Sequence, residues 1–191
     1  MRILVLMGSP KPNGNTAGIC GHFMDELRLR GAEVEYVTLY DKKISPCMGC
    51  FHCQHIAGEY GCAQQDDMLT IVDSMLMSDI TVFATPIYFW QATAPMKAVM
   101  DRLYGLNKFY GSAPRCVLND GQAYALITTC GYKPDYGAGL LEEGIRRWSK
   151  HSGFRYLGMY AVRDKGDPAA FRTDEAINGA RSFAAGLLEY R

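Results

Sequence analysis

The chain has 191 residues, with 20 Lys and Arg against 20 Asp and Glu, so its formal net charge is zero. That length suits one domain, and a hydrophobic fraction of 48% is ample for its core. The scattered cations exclude the basic patch that a nucleic-acid or anionic-membrane partner needs, and no apolar run approaches the ~18 residues of a membrane span.

Strand and helix signals alternate along the chain. Arg2–Met7 reads as a buried strand, followed by the polar loop in "LVLMGSPKPNGNTA". Because no charged n-region and cleavage site precede that strand, a cytoplasmic protein is expected. Its seven Cys are then thiols, metal ligands or redox groups rather than structural disulfides. Thr16–Arg30 reads as a helix, with Ile19, Phe23 and Leu27 on one face and Gly31 ending it. Glu33–Thr38 alternates as a strand. Tyr40–Gln65 has no clear period and carries Cys47, Cys50, Cys53 and Cys62. Asp67–Ser78 reads as a helix, with Asp66 and Asp67 at its positive end and Leu69, Val72 and Leu76 on its inner stripe. Ile80–Ala84 is a strand and "TPIYFWQATA" a loop. Pro95–Leu106 is a helix with Pro in its first turn. Ala123–Thr128 is a strand, "TCGYKPDYG" a loop and Leu140–His151 a helix. Tyr156–Val162 and Asp174–Tyr190 are the last strand and helix.

Five strands alternating with five helices imply an α/β fold: a doubly wound, five-stranded parallel sheet with helices on both faces. At this length the flavodoxin-like order 2-1-3-4-5 is favoured, as a single domain over residues 1–191 with a Cys-bearing insertion at about 40–65. Ligands of such sheets lie beyond the carboxyl ends of strands 1, 3 and 4, here the loops at 8–16, 85–94 and 129–137.

The first loop enters the N-terminus of a helix, where free N–H groups and the dipole favour an anion. Ser9, Asn15 and Thr16 add donors, Lys11 adds charge, and Gly8 and Gly14 permit tight turns. The loop is neither G-x-x-x-x-G-K-[ST] nor G-x-G-x-x-G. An ordinary capped strand-to-helix turn is the alternative. The second loop places Tyr88, Phe89 and Trp90 in succession, which suits a flat apolar ligand or a subunit interface. The third is rich in hydroxyls and Gly. Together the three loops suggest a phosphorylated planar cofactor; FMN fits, and a mononucleotide is the alternative.

"GSPKPNGNT" resembles the GSPR-x-x-GNT phosphate loop of the NAD(P)H-dependent FMN reductase superfamily. "ATPIYFWQATAPMKAVMDR" resembles that family's SPVYF-x-x-x-S-A-x-L-K-x-x-x-DR stretch. "PCMGCFHC…GCAQQDDM" resembles the cysteine segment of its iron–sulfur flavoprotein branch. The three segments come in the family's order, from residue 1 to about 105. The resemblance implies a flavodoxin-like fold with non-covalent FMN. It implies that Ser9, Lys11, Asn15 and Thr16 hold the phosphate, and that Pro86, Ile87, Tyr88, Phe89 and Trp90 lie along the isoalloxazine and ribityl chain. Thr129, Cys130 and Gly131 would close the far side. Lys11 stands where the family has Arg, a point charge in place of a bidentate fork. Lys97 and Asp101, four apart on a helix, read as an intrahelical pair.

Cys47, Cys50, Cys53 and Cys62 read C-x2-C-x2-C-x8-C, a spacing that suits a [4Fe–4S] cluster. Zinc is a second option, with His52 or His55 able to replace a thiolate. Packing or redox thiols are a third. The iron–sulfur branch shares the first spacings and has a shorter last gap. Cys20 and Cys116 read as structural, and Cys130 as a thiol beside the flavin.

No acid–base residue is needed for the expected chemistry, because a flavin accepts the hydride itself. The expected activity is transfer of electrons from NAD(P)H through FMN to a small-molecule acceptor (a quinone, nitro or azo compound, or free flavin) or to a redox protein. No second dinucleotide fingerprint is present, so donor and acceptor would use one site in turn. The alternative is an iron–sulfur flavoprotein carrying electrons between a ferredoxin-like donor and an acceptor. A nucleotide-binding regulatory module is a third reading. A homodimer or homotetramer is expected, with Trp90, Phe109 and Tyr110 candidates to cover a neighbour's site.

Overall fold

The computed structural model describes residues 1–109, the backbone of 115–116, and residues 122–190. Tyr110 and the side chain of Cys116 lie outside the described residues. The strands are β1 (Arg2–Met7), β2 (Glu33–Thr38), β3 (Ile80–Pro86), β4 (Asn107–Lys108), β5 (Arg115–Cys116), β6 (Ala123–Cys130) and β7 (Arg155–Arg163). The helices are α1 (Asn15–Leu29), α2 (Met68–Leu76), α3 (Ala94–Arg102), α4 (Pro134–Ser152) and α5 (Asp174–Leu188).

Five strands form one parallel sheet in the order β2-β1-β3-β6-β7. The numbering departs from the expected 2-1-3-4-5 because β4 and β5 intervene. These two-residue strands pair antiparallel in a separate ribbon. Their shortness hid them, since two residues carry no readable alternation.

Burial on both faces explains the unbroken apolar runs. On β1, Ile3, Val5 and Met7 pack with Ile19, Phe23 and Leu27 of α1 and with Ala176, Ala180 and Ala184 of α5. Leu4 and Leu6 face the other way, among side chains of α2, α3 and α4. Each fully buried Leu or Phe of this kind contributes about 1.5–3 kcal/mol of transfer free energy.

Several boundaries differ from the sequence expectation. β3 runs to Pro86 and β6 to Cys130, so both ligand loops are shorter than expected. Helix α4 begins at Pro134 rather than Leu140, because Pro is pre-organised for the first helical turn. Helix α3 ends at Arg102, and Leu103–Leu106 tighten into a 3-10 turn. The inner stripe of α2 is Met68, Ile71, Val72 and Met75, with Leu69 and Leu76 only partly buried. The Met side chains shifted the apparent face by one position.

The long segment between β2 and α2 is tied down by polar anchors. Asp66 accepts from Arg102 Nη1 at 2.6 and 2.7 Å and from the Ser45 N–H at 2.9 Å. Asp67 accepts from the Lys43 N–H at 2.7 Å. Gln54, buried, donates to the Asn107 and Tyr104 carbonyls at 2.8 and 3.2 Å and accepts from the Phe109 N–H at 2.9 Å. Parallel register then sets Met7 beside Ala84 and Pro86 beside Thr129, so three loops leave the sheet at one edge.

Candidate functional site

Main-chain bonds join those three loops. The Gly8 N–H donates to the Ala84 carbonyl at 2.8 Å, and the Ile87 N–H to the Thr129 carbonyl at 2.8 Å. Thr93 Oγ1 donates to the Gly8 carbonyl at 2.6 Å. The backbone there is so close to α3 that a Cβ on Gly8 would lie 2.9 Å from both Met96 Cβ and Thr93 Oγ1. This explains the glycine without reference to a ligand.

Between the loops lies a cavity of about 270 Å³ lined by Ser9, Lys11, Gly14, Asn15, Thr16, Pro86, Ile87, Tyr88, Thr129, Cys130, Gly131 and Asp164. The structure thus brings together ten of the twelve residues expected at a cofactor. Thr16 and Thr129 are buried and their hydroxyls hydrogen-bond at 2.8 Å, joining α1 to the end of β6. Ser9 Oγ, buried, accepts from the Lys11 N–H at 3.2 Å and shapes the loop. Gly14 caps α1 without a side-chain acceptor for the first-turn N–H groups, and Gly14, Asn15 and Thr16 line the cavity. With the helix dipole and Lys11 they make a site for an anion. Cys130 is 3% exposed, donates to the Tyr132 carbonyl at 3.3 Å, and burial pushes its thiol up despite nearby Arg163. Its S–H is turned to that carbonyl while the residue lines the cavity.

Phe89 and Trp90 are the two that do not join. They form a tight turn in which Tyr88 and Gln91 exchange backbone hydrogen bonds at 2.9 and 3.0 Å. Their φ angles are 50° and 60°, the signs of a type I′ turn, which normally takes Asn or Gly. Phe89 is 90% exposed. Trp90 stacks on Tyr132 at 5.9 Å and 9° and meets Tyr136 edge-on. Tyr88, Phe89, Tyr132 and Tyr136, all exposed, make an aromatic patch at the cavity rim. Phe109 packs instead between Tyr104 and His151, at 5.1 and 5.2 Å.

Sequence reasoning missed Asp164, which follows β7. Its N–H donates to the Cys130 carbonyl at 2.7 Å, and that bond draws it to the cavity. The expected strand order already placed this strand beside the one that ends at Cys130, but only the register, with Arg163 opposite Cys130, brings Asp164 to the cavity. Lys97 and Asp101 pair within α3, as the spacing predicts.

A second cavity, of about 630 Å³, is lined by Cys47, Cys50, Cys53 and Cys62 together with Phe51, Tyr104 and Arg102. Cys47 and Cys50 are exposed, and Cys53 and Cys62 half-buried. Arg102 Nη2 donates to Cys62 Sγ at 3.4 Å, and the Gly49 N–H to Cys47 Sγ at 3.5 Å. The Arg102 side chain is 1% exposed, and Asp66 balances its charge. Burial raises Asp66, but Arg102 and the Ser45 and Met68 N–H groups outweigh it and hold the carboxyl below its ordinary range. The Tyr60 hydroxyl is buried beside Arg102 and Cys62, and Arg102 Nε is buried without a hydrogen-bond partner. Among the described residues, no three His, Cys, Asp or Glu side chains are gathered around a point that would hold one ion.

The family model described as NADPH-dependent FMN reductase matches residues 1–131. An iron-sulfur flavoprotein of Archaeoglobus fulgidus is 32% identical over 148 residues, covering 78% of this chain and 64% of that protein. Another protein of that name from the same organism is 28% identical over 198 residues, covering 99% and 94%. In the first three relatives the match spans 64%, 51% and 50% of their length. The solved NAD(P)H:quinone oxidoreductase from Methanothermobacter marburgensis superposes with a TM-score of 0.72 at 17% identity, covering 100% of this chain and 98% of that one. That likeness is one of fold. No helix among the described residues is long and apolar enough to cross a membrane.

Proposed function

The chain belongs to the NADPH-dependent FMN reductase family, and we propose that it is an FMN-dependent oxidoreductase passing electrons from NAD(P)H to a quinone, nitro, azo, flavin or protein acceptor. The observation that carries this reading is one cavity combining an uncapped helix N-terminus, a lysine and buried hydroxyls. Its volume of about 270 Å³ falls just short of the ≈ 300–1,000 Å³ of complete ligand pockets, so it takes the phosphate and ribityl end.

The first-turn N–H groups of α1, with Ser9, Lys11, Asn15 and Thr16, hold the phosphate. Lys11 supplies a point charge without a fixed fork. Thr129 and Gly131 border the ribityl chain. Pro86, Ile87 and Tyr88 form the apolar wall along which the ring system lies, with Phe89 and Trp90 at its outer rim. Cys130 adds its buried sulfur to that wall. When bound, FMN supplies the hydride-accepting atom, and the chain contributes position and exclusion of solvent. A single site at this edge obliges donor and acceptor to enter in turn.

The reading extends to a cytoplasmic homodimer or homotetramer, supported by the exposed aromatic patch at the site's mouth. The test is steady-state oxidation of NADPH and NADH by FMN-loaded protein, with quinone, nitro and ferric acceptors. Parallel double-reciprocal lines are expected. Absence of turnover with every acceptor overturns the reading.

The four-cysteine cavity favours a second reading, an iron–sulfur flavoprotein that carries electrons from a ferredoxin-like donor. The donor set fits: four thiols line one space, and N–H groups already point at two of the sulfurs. Cys47, Cys50, Cys53 and Cys62 would hold a [4Fe–4S] cluster supplying one-electron chemistry. Iron and labile sulfide in anaerobically purified protein support it, and their absence rules it out.

A further inference from the structure

Lys108 has no place in either reading so far. It sits on the β4–β5 ribbon and is 7% exposed. Its Nζ donates to the Cys53 carbonyl at 2.7 Å and to the Tyr60 carbonyl at 3.2 Å. Neither acceptor carries a formal charge, and Lys108 forms no ion pair among the described residues. Arg102, the other buried cation beside the cysteines, is balanced by Asp66. An ammonium buried with only neutral acceptors is costly, and a nearby negative charge would offset that cost. Burial lowers the Lys108 pKa, while the Cys53 sulfur and Glu59 favour its charge.

The two acceptors mark the ends of the loop that brings the fourth cysteine back. Cys53 is the third cysteine of the motif, and Tyr60 stands two residues before Cys62. One ammonium therefore closes the eight-residue gap between the third and fourth thiols. Gly61, at φ 63° and so close to Ile56 that a Cβ there would lie 2.5 Å from Ile56 Cβ, completes the bend toward Cys62.

We propose that Lys108 is the positioning residue and counter-charge of the four-cysteine centre, stapling the Cys53–Cys62 loop and offsetting the negative charge of a thiolate-ligated cluster. This rests on the iron–sulfur reading above. Four thiolates outweigh the positive core of a cubane, and reduction adds one further electron. The positive charge of the ammonium favours the reduced centre and raises the midpoint potential.

The test compares wild type, Lys108→Met, Lys108→Gln and Lys108→Arg, all purified anaerobically. Iron, sulfide and FMN per chain are measured, and the cluster potential is titrated. Lys108→Met keeps the apolar stem without charge or donors, and Lys108→Gln keeps a donor without charge. Both should retain FMN while the one-electron reduction equilibrium falls about tenfold, a drop of roughly 59 mV, or while iron is lost. Lys108→Arg should restore iron and potential. Full iron and an unchanged potential in both neutral variants overturn the role of Lys108. Loss of FMN together with iron from all three makes it a folding residue and also overturns the role. An iron-free wild type refutes the iron–sulfur reading itself, and the two failures are told apart by that one analysis.

Discussion

Replacing Asp66 by Asn tests whether the Asp66–Arg102 pair holds the cysteine segment to the core. The substitution keeps the shape and one acceptor oxygen but removes the charge that balances Arg102. Side-chain exposures of 1% for Arg102 and 12% for Asp66 place the pair out of solvent. Removing one partner of a buried pair costs ~3–5 kcal/mol, because the other charge is left unmatched. The surviving acceptor puts Asp66→Asn at the low end, about 3 kcal/mol. At 2–4 °C per kcal/mol for a chain of this size, the melting temperature should fall by about 6–12 °C. Calorimetry at pH 7 reads it directly. In 1 M salt, where the Debye length is about 3 Å, a buried pair should keep most of the difference. Acid gives a further check. The native Asp66 carboxyl is held below its unfolded value of about 3.9, so its stabilisation is present above that pH and lost as pH falls through the native value. The gap between wild type and variant should therefore narrow below about pH 4. A fall of under about 2 °C, or one abolished by salt, would place the pair among surface bridges worth ~0–1 kcal/mol and refute the reasoning.

Two further substitutions probe the cavity and its rim. Lys11→Met should weaken FMN about tenfold, or about 1.4 kcal/mol, by fluorescence titration, and leave riboflavin unchanged; an equal loss for both ligands would remove Lys11 from the phosphate. Phe89→Asn should raise the melting temperature by about 2–4 °C, since Phe89 is 90% exposed at φ 50° and Asn tolerates that conformation about 1 kcal/mol better. A lower melting temperature would show that Phe89 packs in the protein as purified.

Where a residue's environment is set by its near neighbours in sequence, the sequence was readable. Ile19, Phe23 and Leu27 lie on the buried face of α1 as their four-residue spacing predicts. The strand-to-helix turn at 8–16 was equally plain, although Thr93 and Met96 confine Gly8 and Thr129 bonds Thr16 from far along the chain. Asp164 was invisible, since only the β6–β7 register carries it to Cys130. The position of the Trp90 ring was unreadable for a different reason. Aromatic type marked it as a ligand wall, but a type I′ turn swings its ring onto Tyr132. The buried partners of the cysteines were unreadable too: Arg102 and Lys108 lie 40 and 55 residues from the Cys62 and Cys53 groups they touch. Lys108 also sits on a ribbon too short to leave a pattern.

The anchors of the cysteine segment land on α3, on the 3-10 turn after it and on the β4–β5 ribbon. Among the described hydrogen bonds from residues 42–67, none lands on a strand of the parallel sheet. The segment's polar ties are thus separate from the strands that carry the loop at 8–16, although Ile44, Tyr60 and Cys62 share a core cluster with Leu4, Leu6 and Phe83. What passes between the cysteine segment and the sheet edge is therefore carried by apolar packing, which yields gradually, and not by hydrogen bonds, which break at a point.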